Sequence, residues 1–280
     1  ETWQPKRIFW NTFNFGGTNT TASDQLKVDV GVFNPLLGKS FGEIAAESRS
    51  MHKSQGFGSS RQRGSNIEFF KLLKGEPVKE DLFENIELSW NRFVSTTALD
   101  KLIAGCIQQF DVQAPEKSVP ALAQIYTTLK NITDADPAVR YWKEQKLKET
   151  EQLLLSCSGL WLEANTTEYL GVPGNEVTIN AQVITRNKAQ VQLNKISFFL
   201  QSDTSFKLVL NANELYTFKH REKLPVSIAY SNPYWLNEAH EQGMYVVKQQ
   251  LLIGKPENEQ AANVVFDLDV QGLNLRIERK

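Results

Sequence analysis

A chain of 280 residues with 41% hydrophobic and 22% charged residues has an ordinary globular composition and is long enough for two domains. Its formal net charge of −1 gives no global attraction to nucleic acid or membrane surfaces. No apolar run reaches the roughly 18 residues of a membrane-spanning helix. Residues 1–75 carry ten Lys/Arg and six Asp/Glu, a net of +4. This local bias suits an anionic or polar ligand, and solubility explains it equally well.

The first zone of the chain, residues 1–75, is predicted to hold strands followed by a helix. The apolar and aromatic segment 5–13 is typical of a strand, and segment 26–33 alternates apolar and polar residues with period two. Ser40 and Glu43 then form the Ser-x-x-Glu pattern of a capping box, which predicts that a helix begins there.

The later part of this helix carries a cluster of polar residues. We predict that the helix ends near Gly56, before a basic, glycine-rich loop at 56–66. Arg49 and His52 are three residues apart, and Gln55 continues the same helical face. Buried polar groups need hydrogen-bond partners, so this row is either a buttress for neighbouring loops or the wall of a polar binding site. The residues alone favour neither.

The second zone, residues 76–158, is predicted to be helical. Amphipathic patterns indicate two helices, and an Asp-Pro pair gives the N-cap and first residue of a third that runs until Gly159. Helices this close in sequence pack as a small bundle or as a spacer. The predicted bounds are 97–110, 120–132 and 137–158.

The third zone, residues 159–280, changes its apolar period from 3.6 to 2. Segment 176–185 alternates cleanly, and further short apolar runs, including 243–254, are separated by Gly, Pro, Asn and Asp. Seven or eight strands at this spacing indicate an antiparallel β-sandwich of immunoglobulin type. The antibody Cys–Trp–Cys pattern is absent from the sequence.

The run LLGKSF at 36–41 looks like part of a phosphate-binding loop, but the pattern fails. The glycine that must stand five residues before Gly38 is Phe33. The amides at the helix start near Ser40, with Lys39 beside them, are one candidate site for an anion or a polar sugar group. We favour the simpler interpretation, in which Gly38 serves a tight turn and Ser40 a helix cap.

Catalytic groups of the common kinds do not stand out in the sequence. The three histidines, His52, His220 and His240, lack the close spacing of metal-ligand pairs, so no complete metal site is expected in this chain. No Gly-x-Ser-x-Gly elbow is present, and no catalytic residue is assigned. Cys106 and Cys157 are interpreted as two buried thiols rather than a disulfide.

An aromatic run around a proline forms a second candidate site. Tyr230, Tyr234 and Trp235 could form a platform on which a sugar ring stacks, or a patch on which a partner docks. The alternative, which we favour, is a loop packed at the edge of the sandwich.

Several segments together resemble the LmbE/PIG-L family of zinc-dependent N-deacetylases. His52-Lys53-Ser54-Gln55 resembles the family's late His-x-Ser/Thr-Gln element, and segment 3–9 resembles the strand before it. The Asp-Val-Gly and Pro-Leu-Leu-Gly-Lys-Ser pieces at 29–40 are similar to a longer, bacterial, multidomain branch, as are three segments of the β-rich zone, 231–236, 243–258 and 266–272. The family's metal-binding His-Pro-Asp-Asp run is absent.

The resemblance implies an α+β, multidomain chain: the rear segment of an α/β deacetylase domain (1–75), a helical connector (76–158) and an immunoglobulin-like β-sandwich (159–280). The whole protein would be a hydrolase that uses zinc to activate water and remove acetyl groups from N-acetylated amino sugars. Its zinc ligands match no position here, so zinc is expected in the full-length protein only. The substrate-side residues implied for this chain are Arg49, His52, Ser54 and Gln55, with Lys39 at the rim.

The partner expected for this chain is the upstream half of its own catalytic domain, without which the chain would be inactive. Dimerisation through the truncated face and a carbohydrate ligand are also expected, but nucleic acid and a membrane span are not. A periplasmic or extracellular location is favoured for the full-length protein. The competing hypothesis is a non-catalytic β-sandwich module that binds glycans or protein partners.

Overall fold

The computed structural model describes residues 5–56, 58–93, 97–133, 135–200, 202–258 and 262–279. They form a mixed α+β structure with several antiparallel sheets and four α-helices in the described part, as the sequence predicts at this coarse level. The chain divides into two compact units, Glu1–Glu87 and Leu88–Lys280. The predicted three-part division stays a prediction.

The first unit is built around a small antiparallel sheet whose central strand is β7. The apolar segment 5–13 forms its first strand as predicted, and β7 pairs with it on one side and with β4 on the other. The predicted strand at 26–33 is shorter, because the chain turns after Asp29. Strand β7 was missed in the sequence. The strands are β1 (Arg7–Thr12), β2 (Asn14–Phe15), β3 (Thr18–Asn19), β4 (Leu26–Asp29), β5 (Phe33–Asn34), β6 (Lys39–Ser40) and β7 (Ile67–Gly75).

The α-helix in the described part of this unit, α1 (Phe41–Ser50), begins where the capping box predicts. The Glu43 N–H donates to Ser40 Oγ over 3.2 Å, and the Ser40 N–H donates to Glu43 Oε2 over 3.0 Å. The predicted end near Gly56 is wrong. Ser50 Oγ donates to the Ala46 carbonyl and accepts the Ser59 N–H, a local alternative to further helix, and only a 3₁₀ turn at Lys53–Gln55 follows.

The second unit begins with three helices, close to their predicted positions. Asp136 caps the last one by accepting the Ala138 N–H at 2.8 Å, with Pro137 at the first helical position. Leu99, Ile125 and Leu129 meet in a small apolar cluster between the helices, so their packing rather than propensity holds the bundle together. The helices are α2 (Thr97–Gln108), α3 (Val119–Lys130) and α4 (Pro137–Cys157).

Seven strands follow in the described part of this unit, and all their pairings are antiparallel. The strands are β8 (Leu160–Thr166), β9 (Glu176–Thr185), β10 (Val191–Phe198), β11 (Asp203–Val209), β12 (Tyr216–Lys223), β13 (Val264–Val270) and β14 (Leu273–Arg279). One sheet has the order β11-β10-β13-β14 and the other β12-β9-β8.

The strand predicted at 243–254 is wrong. This segment lies in the long connection between β12 and β13 and contains a 3₁₀ turn at Gln250–Leu252. Gly243 and Gly254 bracket it with positive φ angles of 90° and 87°, which turn the chain out of any sheet. The apolar run therefore lies in the connection, where most of its large apolar side chains are exposed, and not in a ladder.

Both sheets of the second unit contribute to one hydrophobic core. Val183 of β9, Leu193 of β10 and Phe266 of β13 are completely buried in it. Leu154 and Cys157 at the end of α4 lie in the same cluster, so the helices and the strands share a core. Burial of each such aliphatic or aromatic side chain stabilises the unit by roughly 1.5–3 kcal/mol.

Both cysteines are free thiols, as the sequence indicated. Cys157 is buried and Cys106 is half-buried, and both line an apolar cavity of about 420 Å³ between α2, α3 and α4. Burial raises the pKa of each thiol, and the neighbouring Cys106 raises that of Cys157 further. Neither is therefore an activated nucleophile.

Candidate functional site

A row of carboxylates on α1 fastens the basic, glycine-rich loop to the helix. Glu47 bridges Lys39 Nζ at 2.6 Å and Arg61 Nη2 at 3.1 Å, and Glu43 accepts Arg63 Nε at 3.0 Å. The hydrogen bond from Lys39 holds the pKa of Glu47 below its usual range, and the Ser40 backbone N–H does the same for Glu43. The charges of this segment thus pair with one another.

The other end of the loop is fixed by Asp29. Its Oδ1 accepts the backbone N–H groups of Gly31 and Asn66, each at 2.8 Å, and the bond from Asn66 is the main reason that the pKa of Asp29 is lowered. A Cβ atom at Gly31 would overlap the Gly64 carbonyl, so only glycine allows this close approach. The turn after β4 and the end of the loop are therefore locked together.

Between α1 and the fastened loop lies an open cleft of about 500 Å³. Val30 and Ala46 form its apolar base. Its polar wall consists of Arg49, Ser59, Ser60, Gln62, Asn66 and Glu68. This mixture of amide, hydroxyl and guanidinium groups is suited to a polar ligand with hydrogen-bonding groups.

The predicted substrate-side residues do not converge on this cleft. Arg49, in the last turn of α1, lines it. His52 and Gln55 lie beyond the helix end and are exposed, with Nδ1 of His52 3.2 Å from Oε1 of Gln55. Ser54 is exposed in the same 3₁₀ turn, and Lys39 is paired with Glu47. The predicted common helical face of Arg49, His52 and Gln55 is wrong because α1 stops at Ser50.

Sequence reasoning missed most of the cleft wall. Ser59, Ser60 and Gln62 belong to a loop whose path depends on the ion pairs to α1, and Asn66 is placed by its backbone bond to Asp29. The basic residues opposite Glu43 and Glu47 were the one signal that could have indicated this docking.

The second candidate site lies in the connection between β12 and β13. Tyr234 and Trp235 stand edge to face, with ring centroids 4.9 Å apart at 88°, in a 3₁₀ turn. They line a pocket of about 450 Å³ with Tyr245, which the sequence analysis did not single out. Tyr230 is 86% exposed and is outside the pocket lining. Val247, Ile253 and Gly254 complete the wall.

Within the described ranges, no group of three or more His, Cys, Asp or Glu side chains is placed to hold a metal ion. No helix in the same ranges is long and apolar enough to cross a membrane.

Comparisons with known proteins find only distant similarity. No family model matches the chain, and neither does any curated protein. The sporulation control protein Spo0M of Bacillus subtilis is 14% identical over 43% of this chain and 47% of its own, with a TM-score of 0.26. The alkylpurine DNA glycosylase AlkC of Pseudomonas fluorescens, bound to DNA containing an abasic site analogue, is 10% identical over 64% and 49%, with a TM-score of 0.21. The chain spans about half the length of each, and TM-scores this low carry no argument.

Proposed function

We propose that the unit Glu1–Glu87 is the substrate-side part of an LmbE/PIG-L-type N-deacetylase domain that acts on N-acetylated amino sugars. A complementary part carrying the zinc ligands would complete the domain. The second unit would serve as a helical connector and an accessory sandwich. This chain alone would be inactive. The proposal rests on the family resemblance at 29–55 and on one structural observation, the number of large apolar side chains that the first unit exposes.

The balance of buried and exposed apolar residues is unusual for a folded unit. Among its described residues, Ala46 is the only apolar residue that is fully buried. Its other apolar side chains are half-buried or exposed, including Phe15 (81% exposed) and Leu36 (94% exposed). A stable soluble unit rarely leaves so much apolar area uncovered, because burial is its main source of stability. An incomplete domain would expose such a surface.

The exposed apolar residues around Leu36 are held in an ordered turn. Asn34 Oδ1 accepts the backbone N–H groups of Leu36 and Leu37 at 3.0 and 3.2 Å, and β5 pairs with β6 on either side. A turn that is fixed by its own hydrogen bonds can dock without a large loss of chain entropy. This supports a role for the turn as a contact to a complementary part.

The cleft beside α1 supports a polar substrate. Arg49, Gln62 and Asn66 supply donors and acceptors that match sugar hydroxyl and amide groups. Since the described residues offer no zinc ligand set, the hydrolytic step is assigned to no residue of this chain. The contribution of these residues would be to bind and orient the substrate.

For the second unit we propose an immunoglobulin-like sandwich. In chain order its seven described strands pair as first–second–fifth in one sheet and fourth–third–sixth–seventh in the other. Two facing antiparallel sheets of four and three strands with a shared core are characteristic of that architecture. The sandwich would position neighbouring parts or bind a ligand of its own.

The deciding experiment compares zinc content and deacetylation of N-acetylglucosamine compounds in two proteins. One is this chain, and the other is a longer polypeptide in which the zinc-binding part of an LmbE/PIG-L domain precedes residue 1. We expect zinc and turnover in the longer protein only, and a higher KM in its Arg49→Ala variant. Arg140→Ala, at an exposed site of α4, is the matched control. Turnover by this chain alone, or no turnover in either protein, would overturn the proposal.

A further inference from the structure

The connection between β12 and β13 builds a structured lobe rather than an open loop. The Tyr234 N–H donates to Asn258 Oδ1 and its hydroxyl donates to the Lys255 carbonyl, both at 2.9 Å. The side-chain amide of Asn258 in turn donates to the carbonyl of Asn232. These bonds tie the two ends of the lobe together across more than twenty residues. The aromatic pocket therefore has a fixed wall.

Some hydrogen-bonding groups of the pocket already have a partner within the lobe, and others do not. The Tyr234 hydroxyl already donates to the Lys255 carbonyl. The indole N–H of Trp235 and the hydroxyl of Tyr245 bond to no residue in the described part of the chain. His240 lies beside Tyr245, with ring centroids 5.2 Å apart and the ring planes tilted by 60°. Two aromatic side chains thus present both a ring face and an unused polar group.

The lining of the pocket argues against an ionic ligand. Lys248 Nζ pairs with Glu238 Oε2 at 2.7 Å, so these opposite charges neutralise each other. The pocket lining itself contains aromatic, aliphatic and glycine residues and no charged side chain among those described. A neutral ligand with hydroxyl groups and an apolar face matches this arrangement.

We propose that this pocket binds a pyranose ring of a neutral carbohydrate. The polarised C–H bonds on one face of the sugar would lie against the indole ring of Trp235, whose π face is negative. Hydroxyl groups at the ring edge would bond to the Trp235 N–H and the Tyr245 hydroxyl. The volume of about 450 Å³ lies within the usual range of small-ligand sites. This inference is independent of the deacetylase proposal and survives its failure.

Calorimetric titration and saturation-transfer NMR of the full chain would test the proposal. Chitotriose and cellotriose are the neutral sugar probes, and hexanol is the apolar probe. We expect binding of at least one sugar, weakened about tenfold or more by Trp235→Ala and several-fold by Tyr245→Phe. Tyr230→Ala, which removes an exposed tyrosine outside the pocket, should bind as the parent does.

Circular dichroism of each variant separates loss of fold from loss of binding, and Tyr245→Phe removes only one oxygen atom. Absence of sugar binding at about 10 mM would overturn the proposal, as would sugar binding that both pocket variants leave unchanged. Hexanol binding in place of sugar would also overturn it, because the pocket would then be an apolar docking site.

Discussion

At the scale of single residues, substitution of Ser40 tests how much the cap of α1 stabilises the first unit. Its side chain is almost fully buried and satisfies the Glu43 N–H at the start of α1. Ser40→Ala should destabilise this unit by about 1 kcal/mol, because an orphan helix donor loses its acceptor. Ser48→Ala, an exposed serine of the same helix, should have almost no effect. Urea unfolding and amide hydrogen exchange of α1 measure the loss of stability. Equal losses in the two variants would contradict the prediction.

At the scale of elements, the contact between α1 and its basic loop depends on pH. Glu47 has its pKa lowered by Lys39, so its folded-state pKa lies below the unfolded one. The stabilisation is then present above the unfolded pKa and is lost as pH falls through the folded pKa. The protection factors of the backbone amides in 59–63, which compare exchange with that of an unfolded chain at the same pH, should therefore fall in acid. Glu47→Gln should show low protection factors already at about pH 7.

Glu80→Gln is the matched control for this variant, because Glu80 is an exposed carboxylate outside α1 and its loop. High salt should also loosen the loop in the parent protein, since the pairs are exposed and screened. Protection factors in 59–63 that change neither with pH nor with Glu47→Gln would mean that Asp29 and backbone hydrogen bonds alone hold the loop.

The elements also show which features a sequence determines locally. The caps at Ser40 and Asp136 and the alternation of 176–185 depend on neighbouring residues only, and the structure contains each of them. The end of α1 depends on Ser50 binding Ser59, a contact across a loop, and was misjudged. Segment 243–254 has the apolar content of a strand but no partner strand, which no local pattern reveals.

The candidate sites show the same difference between local features and features that depend on distant contacts. Arg49 was singled out from its sequence spacing, and Tyr234 and Trp235 from their residue type; Arg49 lines the cleft, and the two aromatic residues line the pocket. Asn66 and Tyr245 were missed because only tertiary structure brings them to a cleft or a pocket, through Asp29 in one case and the lobe in the other. Sequence periodicity assigns residues to faces, but it cannot state which distant loop covers a face.

At the scale of the whole molecule, the exposed apolar side chains of the first unit predict self-association of the chain. Water-exposed Phe15 and Leu36 gain free energy when any apolar surface covers them. Leu36 lies in a turn ordered by its own hydrogen bonds, so contact with a second copy of the chain costs little chain entropy. A chain carrying Phe15→Ser and Leu36→Glu should self-associate more weakly, with a higher dissociation constant than the parent. Sedimentation velocity over a concentration series measures this constant.

Leu170→Glu tests whether any exposed leucine would behave in this way, since Leu170 is 82% exposed in the second unit. We expect this control to associate as the parent chain does. Under the proposed function, the longer protein that adds the zinc-binding part should be less prone to associate, because the added part would cover these side chains. A parent chain that sediments as a monomer at all concentrations would contradict the prediction, and would show that the exposed side chains of this unit are tolerated singly rather than acting as one surface.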